Sequence, residues 1–157
     1  MAKELTLRGT DPISGKLGEC YANIDGSMED MLYVKKIEAK MEKQKKEINV
    51  LGYPGSKNKS AGWKGTGTAT LFYMTSIFRK KMLEYMNTGK DFYVDMFVVN
   101  DDPSSNAGRQ KIWLKNVNFD GITLAMLDVE NTELNEEISF TFDSAEMVEE
   151  FDTVTGE

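Results

Sequence analysis

The stretch GSKNKSAGWKGTGTATLFYMTS, Gly55 to Ser76, sets Gly, Lys, Ser and Thr directly ahead of an apolar run. That is the raw material of a phosphate-binding loop. A Walker loop, however, needs Gly-Lys-Ser/Thr leading from a strand into a helix, so that backbone N–H groups wrap the phosphates. Here Lys64 follows Trp63, and Gly65 follows Lys64. The dinucleotide pattern G-x-G-x-x-G fails as well, because Gly65 and Gly67 run on into Ala69, Thr70 and Leu71. The continuation TATLFYMT is β-branched and aromatic and predicts a strand, not a helix. The stretch therefore reads as a flexible basic loop entering a strand, and the chain as one built around β-structure.

Outward from it, turn and strand signals dominate. Asp25-Gly26 between two strand-like runs predicts a hairpin. From Met31 to Val50 the Lys and Glu content favours helix, yet Ile37, Ala39 and Met41 alternate with Glu38, Lys40 and Glu42, a period of two that predicts a long strand with one charged face. Gly52–Lys64, with Pro54 and several glycines, predicts a loop longer than ordinary connections. After the strand at Thr66–Met74, a single helix is expected over Ser76–Thr88. Ser76 would cap it and Gly89 would end it, with Phe78, Met82, Tyr85 and Met86 toward the core and Arg79, Lys80 and Glu84 away. DFYVDMFVVN predicts a strand. RQKIWLKNVNF and ITLAMLDVE predict two more, joined at Asp120-Gly121. EISFTFD is a last strand, and SAEMVEEF a short helix or an acidic tail. The expected architecture is a mainly β (α+β) single domain over residues 1–157, a sandwich or barrel with one packed helix, an extended loop at 52–64 and an acidic C-terminal tail at 144–157.

Composition narrows the chemistry. The 157 residues are 40% hydrophobic and 29% charged, as in ordinary globular domains. There is no histidine and one cysteine, Cys20. This excludes Ser–His and Cys–His nucleophile pairs and any intrachain disulfide. No calcium-loop pattern occurs. The expectation is no catalytic residue, no metal and no cofactor. No apolar run reaches the length of a membrane span, and the first residues lack the layout of a secretion signal, so cytoplasmic synthesis without membrane insertion is expected. The net charge of −7 argues against a duplex-DNA binder. Charge is also unevenly placed. Lysines crowd positions 35–64, and after Lys115 there is no Lys or Arg among many carboxylates. Either two surfaces attract within one fold, or the basic side of one copy meets the acidic side of the next.

The segments GWKGTGTATLFYMTSIFRKKMLEYMNTGK, DDPSSNAGRQKIWLKNVNFDGITLAMLDVE and ISFTFD, in that order, resemble the tail tube proteins of contractile phage tails, of the PBSX-like defective-prophage and phage-tail-like bacteriocin kind. The likeness runs from GKLGECYANIDG onward. It implies hexameric rings whose strands form one β-barrel around a channel, stacked into a tube inside a contractile sheath and related to type VI secretion tubes. It implies self-association, and sheath, baseplate and terminator proteins as partners. It also implies DNA in the lumen of a phage, or ions in a bacteriocin, with assembly in the bacterial cytoplasm. In that setting Gly52–Lys64 is expected to be an assembly arm, with Lys57, Lys59, Gly62, Trp63 and Lys64 at the subunit or ring interface. Trp63 would anchor on a neighbour, or alternatively close the loop as a core residue. No lumen residue declares itself. A monomeric lipocalin-like ligand binder and an OB-like single-strand nucleic-acid binder, the latter suggested by WKGTGTATLFY, are the alternatives.

Overall fold

The computed structural model describes residues 9–10, 12–24, 26–30, 34–73 and 76–153. The chain runs β1 (Gly18–Ile24), β2 (Ser27–Asp30), β3 (Val34–Asn49), β4 (Ser56–Phe72), α1 (Ile77–Thr88), β5 (Val94–Asp101), β6 (Arg109–Phe119), β7 (Asn135–Phe142) and β8 (Ser144–Glu149). The hydrogen-bonded order is β2-β1-β5-β6-β7-β4-β3, with β8 also on β6. Among the described residues the protein is mainly β with a single helix, as the alternation in the sequence predicts.

Strand β6 turns the sheet. Lys111–Lys115 pair with β8, while Asn118 and Phe119 pair with β7. Between them β6 bulges, since Val94 faces Val117 but Met96 faces Leu114. Asn116 takes a left-handed conformation there, φ 54°, which asparagine tolerates better than most residues. Its N–H donates to Asp95 Oδ1 at 3.1 Å. Such a bulge bends a strand and lets it change partners.

The core lies where the bend brings both parts of the sheet together. Ala22, Met96, Val117, Leu71, Phe140 and Phe78 are all at most 2% exposed. Phe119 collects the aromatic packing, with Phe78 at 4.9 Å edge-on, and Phe140 and Phe92 each at 6.2 Å. Such contacts are worth about 0.5–1.5 kcal/mol each beyond area burial.

The glycines of the opening stretch have their explanation here. Gly65 stands opposite Phe142 and Gly67 opposite Phe140. A Cβ on Gly65 would meet the Phe142 ring at 2.5 Å, and one on Gly67 the Phe140 ring at 2.3 Å. The period-two glycines are slots for rings from β7, not a phosphate cradle.

Several expectations need correction. The helix spans Ile77–Thr88, and Gly89 (φ 74°) ends it by donating its N–H to Tyr85 O. Ser76, however, makes no side-chain cap bond. The helix also sits rotated from the expected face. Tyr85 and Met86 are exposed, while Arg79 turns inward to Glu136, because a buried carboxylate on β7 outcompetes solvent for the guanidinium. Gly52–Lys64 is a loop only as far as Gly55. From Ser56 it is strand, because β3 offers it a long unpaired edge. Asp120-Gly121 makes no hairpin. Gly121 lacks the positive φ that such a turn requires, and residues 121–134 form a connector without strand. SAEMVEEF is neither helix nor loose tail over Ser144–Glu149, since it completes the edge of β6. The Asp25-Gly26 turn is flanked as expected by Ile24 opposite Ser27, with Gly26 at φ 81°. Asp25 itself lies outside the described residues.

Candidate assembly surface

Strands β3 and β4 form a hairpin far longer than the body that holds it. β4 is buried or half-buried at nearly every position from Gly65 to Phe72, and exposed at every position from Ser56 to Lys64. β3 is exposed from Glu38 onward. The distal half of the hairpin is thus a two-stranded ribbon in solvent. A lone ribbon of this kind is marginally stable in water.

All five candidate residues lie on this ribbon, but not on one face. Lys57 stands opposite Ile48 and Lys59 opposite Lys46, while Trp63 stands opposite Lys43 and Lys64 opposite Glu42. The register slips between Lys43 and Lys45, so that Ala61 and Gly62 together face Gln44. Gly62 takes φ 128° at this bulge. Since Lys43 and Lys45 share a face, Trp63 shares it with Ser60, and Lys57 and Lys59 lie on the other. Lys57 Nζ sits 4.5 Å over the Tyr53 ring, stiffening the turn.

Trp63 marks the boundary between body and ribbon. Its ring lies 6.4 Å from Phe142, yet it is 46% exposed. One side of it is covered by its own subunit and the other is open to solvent. It borders an open cleft of about 950 Å³, shared with Cys20, Ile37, Met41, Ile112 and Phe142.

The charge separation persists in three dimensions. Lys35–Glu133 (3.2 Å), Lys115–Glu146 (3.0 Å) and Arg109–Glu149 (2.9 Å) are ion pairs of the body. Among the described residues none involves Lys43, Lys45, Lys46, Lys57 or Lys59. Attraction within the fold accounts for the base of the hairpin only.

Two features escaped the sequence. Arg79 donates to Glu136 Oε1 at 2.7 Å and to Thr123 O at 2.9 Å, and lies 4.0 Å over Tyr73, clamping α1, β7 and the connector. The connector itself exposes Leu124, Leu127 and Val129, which the sequence pattern places in a strand. A 3.6-residue period with Arg79 on its polar side gives no hint of the clamp. Among the described residues no group of three or more acidic or cysteine side chains could hold a metal, and no helix is long and apolar enough to cross a membrane.

A family model for phage tail tube protein matches residues 5–149. The chain is 39% identical over 145 residues to the phage-like element PBSX protein XkdM of Bacillus subtilis (strain 168), covering 92% of this chain and 96% of that protein. Its structure is similar to a chain of the SPP1 tail tube, with TM-score 0.62, 13% identity, and coverage of 92% of this chain and 82% of that one. It is also similar to a chain of the PVC sheath–tube complex of an extracellular contractile injection system in its extended state, with TM-score 0.63, 12% identity, and coverage of 87% and 90%. At these identities the structural likeness is one of fold.

Proposed function

The chain belongs to the phage tail tube protein family, and from that premise we propose that it is the repeating subunit of the inner tube of a contractile phage tail or phage-tail-like particle. Copies assemble as hexameric rings, and the rings stack around a channel for DNA or ions. The observation that carries the reading is the ribbon Glu42–Lys64. It leaves the body, exposes both faces, and among the described residues its Lys43, Lys45, Lys46 and Lys59 make no ion pair. An element with so little of its own to pack on is stabilised by neighbours, and pairing its open edge there removes an aggregation hazard. The ribbon is the assembly arm, with Trp63 seated against the next subunit. Sheath, baseplate and terminator proteins are the partners of the finished tube.

The work of such a subunit is mechanical. The chain has no histidine, and its glycine pair serves to pack rings, so it carries no hydrolase or transferase activity. Electron microscopy of concentrated protein tests the reading: six-fold rings and stacked tubes are expected, and a persistently monomeric protein would contradict it.

A further inference from the structure

We propose that the tip of the β3–β4 ribbon docks on the 121–134 connector of a second copy of this chain, the next one along the tube; this rests on the tube-subunit reading above. The tip presents Val50, Leu51 and Tyr53, all substantially exposed, with Leu51 wholly so. Just behind them Lys46 and Lys59 stand directly opposite each other, and Lys57 lies on the same face. Like charges in directly opposed positions disfavour the pair that carries them, unless an anion sits over them.

The connector is the counterpart. It exposes Leu124, Leu127 and Val129, the last two fully. From Asp120 to Glu133 it carries Asp120, Asp128, Glu130 and Glu133 and no Lys or Arg. Asp128 accepts from Glu130 N at 3.0 Å and from Asn131 Nδ2 at 2.6 Å, which fixes the turn that displays Val129 and Glu130. Apolar residues framed by lysines thus match apolar residues framed by carboxylates.

The two surfaces cannot meet within one molecule. The connector is fastened at the Phe72 end of β4, where Tyr73 N donates to Leu134 O at 2.8 Å and Tyr73 Oη to Leu124 O. The tip is at the Ser56 end. The strand between them extends roughly 50 Å at about 3.3 Å per residue. Complementary surfaces at opposite ends of one subunit define a head-to-tail contact that propagates without closing. The cleft beside Trp63 is a poorer receptor, since Lys16, Lys35, Lys36 and Lys40 outnumber Glu19 and Glu38 around it. A tip-to-tip contact would oppose lysine to lysine.

Charge reversal and rescue in the full chain test this, with polymer followed by sedimentation and microscopy and folding by thermal melting. Lys57→Glu/Lys59→Glu is expected to raise the concentration needed for polymer by about tenfold or more, and Glu130→Lys, which leaves the Lys35–Glu133 pair of the body in place, by about fivefold. All three changes in one chain should restore polymer to within about threefold of wild type. If the two defects add instead, or if neither reversal matters while wild type forms tubes, the docking is wrong and the tube-subunit reading stands. If Lys57→Glu/Lys59→Glu polymerises more readily than wild type, the tip enters the lysine-lined cleft and the docking is again wrong. If wild type forms no polymer at all, both readings fall. Should a reversal variant melt early, Leu51→Asp takes its place, at a side chain that touches no core. Normal polymer from that variant overturns the proposal equally.

Discussion

The two halves of β4 share one backbone run and almost nothing else. From Gly65 to Phe72 the strand is pinned between β3 and β7, and alternate positions are slots or core residues. From Ser56 to Lys64 it pairs with β3 alone and every residue is exposed. The first half holds the subunit together. The second contributes little to it and, on the reading proposed here, holds subunits to each other. The bulge at Gly62 separates the two, and Trp63 sits on the seam with one side on Phe142 and the other in solvent.

That division can be broken or sharpened by substitution, and the effects should fall in a definite order. Phe140→Ala empties the slot over Gly67 and the contact with Phe119. A loss of about 4 kcal/mol is expected in urea unfolding, as for other buried phenylalanines. Arg79→Ala leaves Glu136, only 1% exposed, without its counterion, and should cost about 3 kcal/mol by the same measurement. Arg79→Lys should recover only part of this, because an ammonium cannot reproduce the planar fork that reaches Glu136 and Thr123 together. Gly67→Ala drives a methyl into Phe140 and Glu38 O at 2.3 and 2.7 Å, and should cost about 2 kcal/mol. Across the seam the stability effects should shrink and the assembly effects grow. Trp63→Ala is expected to cost about 1 kcal/mol or less in urea, since nearly half of the residue is already wet, yet to abolish tube formation. A loss of several kcal/mol there would make Trp63 a core residue and move the seam outward.

The sequence made the body far more legible than the arm, for a physical reason. Alternation from Ile37 to Glu42, the turn at Gly26 and the left-handed Gly89 are local signals, and each reappears in place. Small polar residues between Ser56 and Lys64 carry no such signal. They are strand only because β3, itself readable from its period, supplies the partner. Gly65 and Gly67 were recognisable as a failed phosphate loop, but their use was hidden because the rings that fill the slots come from β7, at Phe140 and Phe142. The amphipathic period misplaces Arg79 because a buried carboxylate on β7 counts for more than helical spacing. Strand β8 and the 121–134 connector exchanged their expected states. SAEMVEEF found an open edge on β6, and ITLAMLDVE found none. Lys57, Lys59, Gly62, Trp63 and Lys64 all fall on the exposed ribbon, yet the bulge that puts Trp63 and the two lysines on opposite faces is set by pairing register, which no single segment encodes.

Shortening the ribbon tests the division of labour most directly. Lys43 and Trp63 are opposed residues, so replacing residues 44–62 with Asn-Gly should close β3 onto β4 by a two-residue turn and leave the body intact. Thermal melting and electron microscopy of this variant beside wild type give the answer together. The expected result is a folded subunit melting within about 4 °C of wild type, a shift of roughly 1 kcal/mol for a domain of this size, that forms no tubes at any concentration at which wild type does. A shortened chain that still builds normal tubes, or one that no longer folds, would contradict the account.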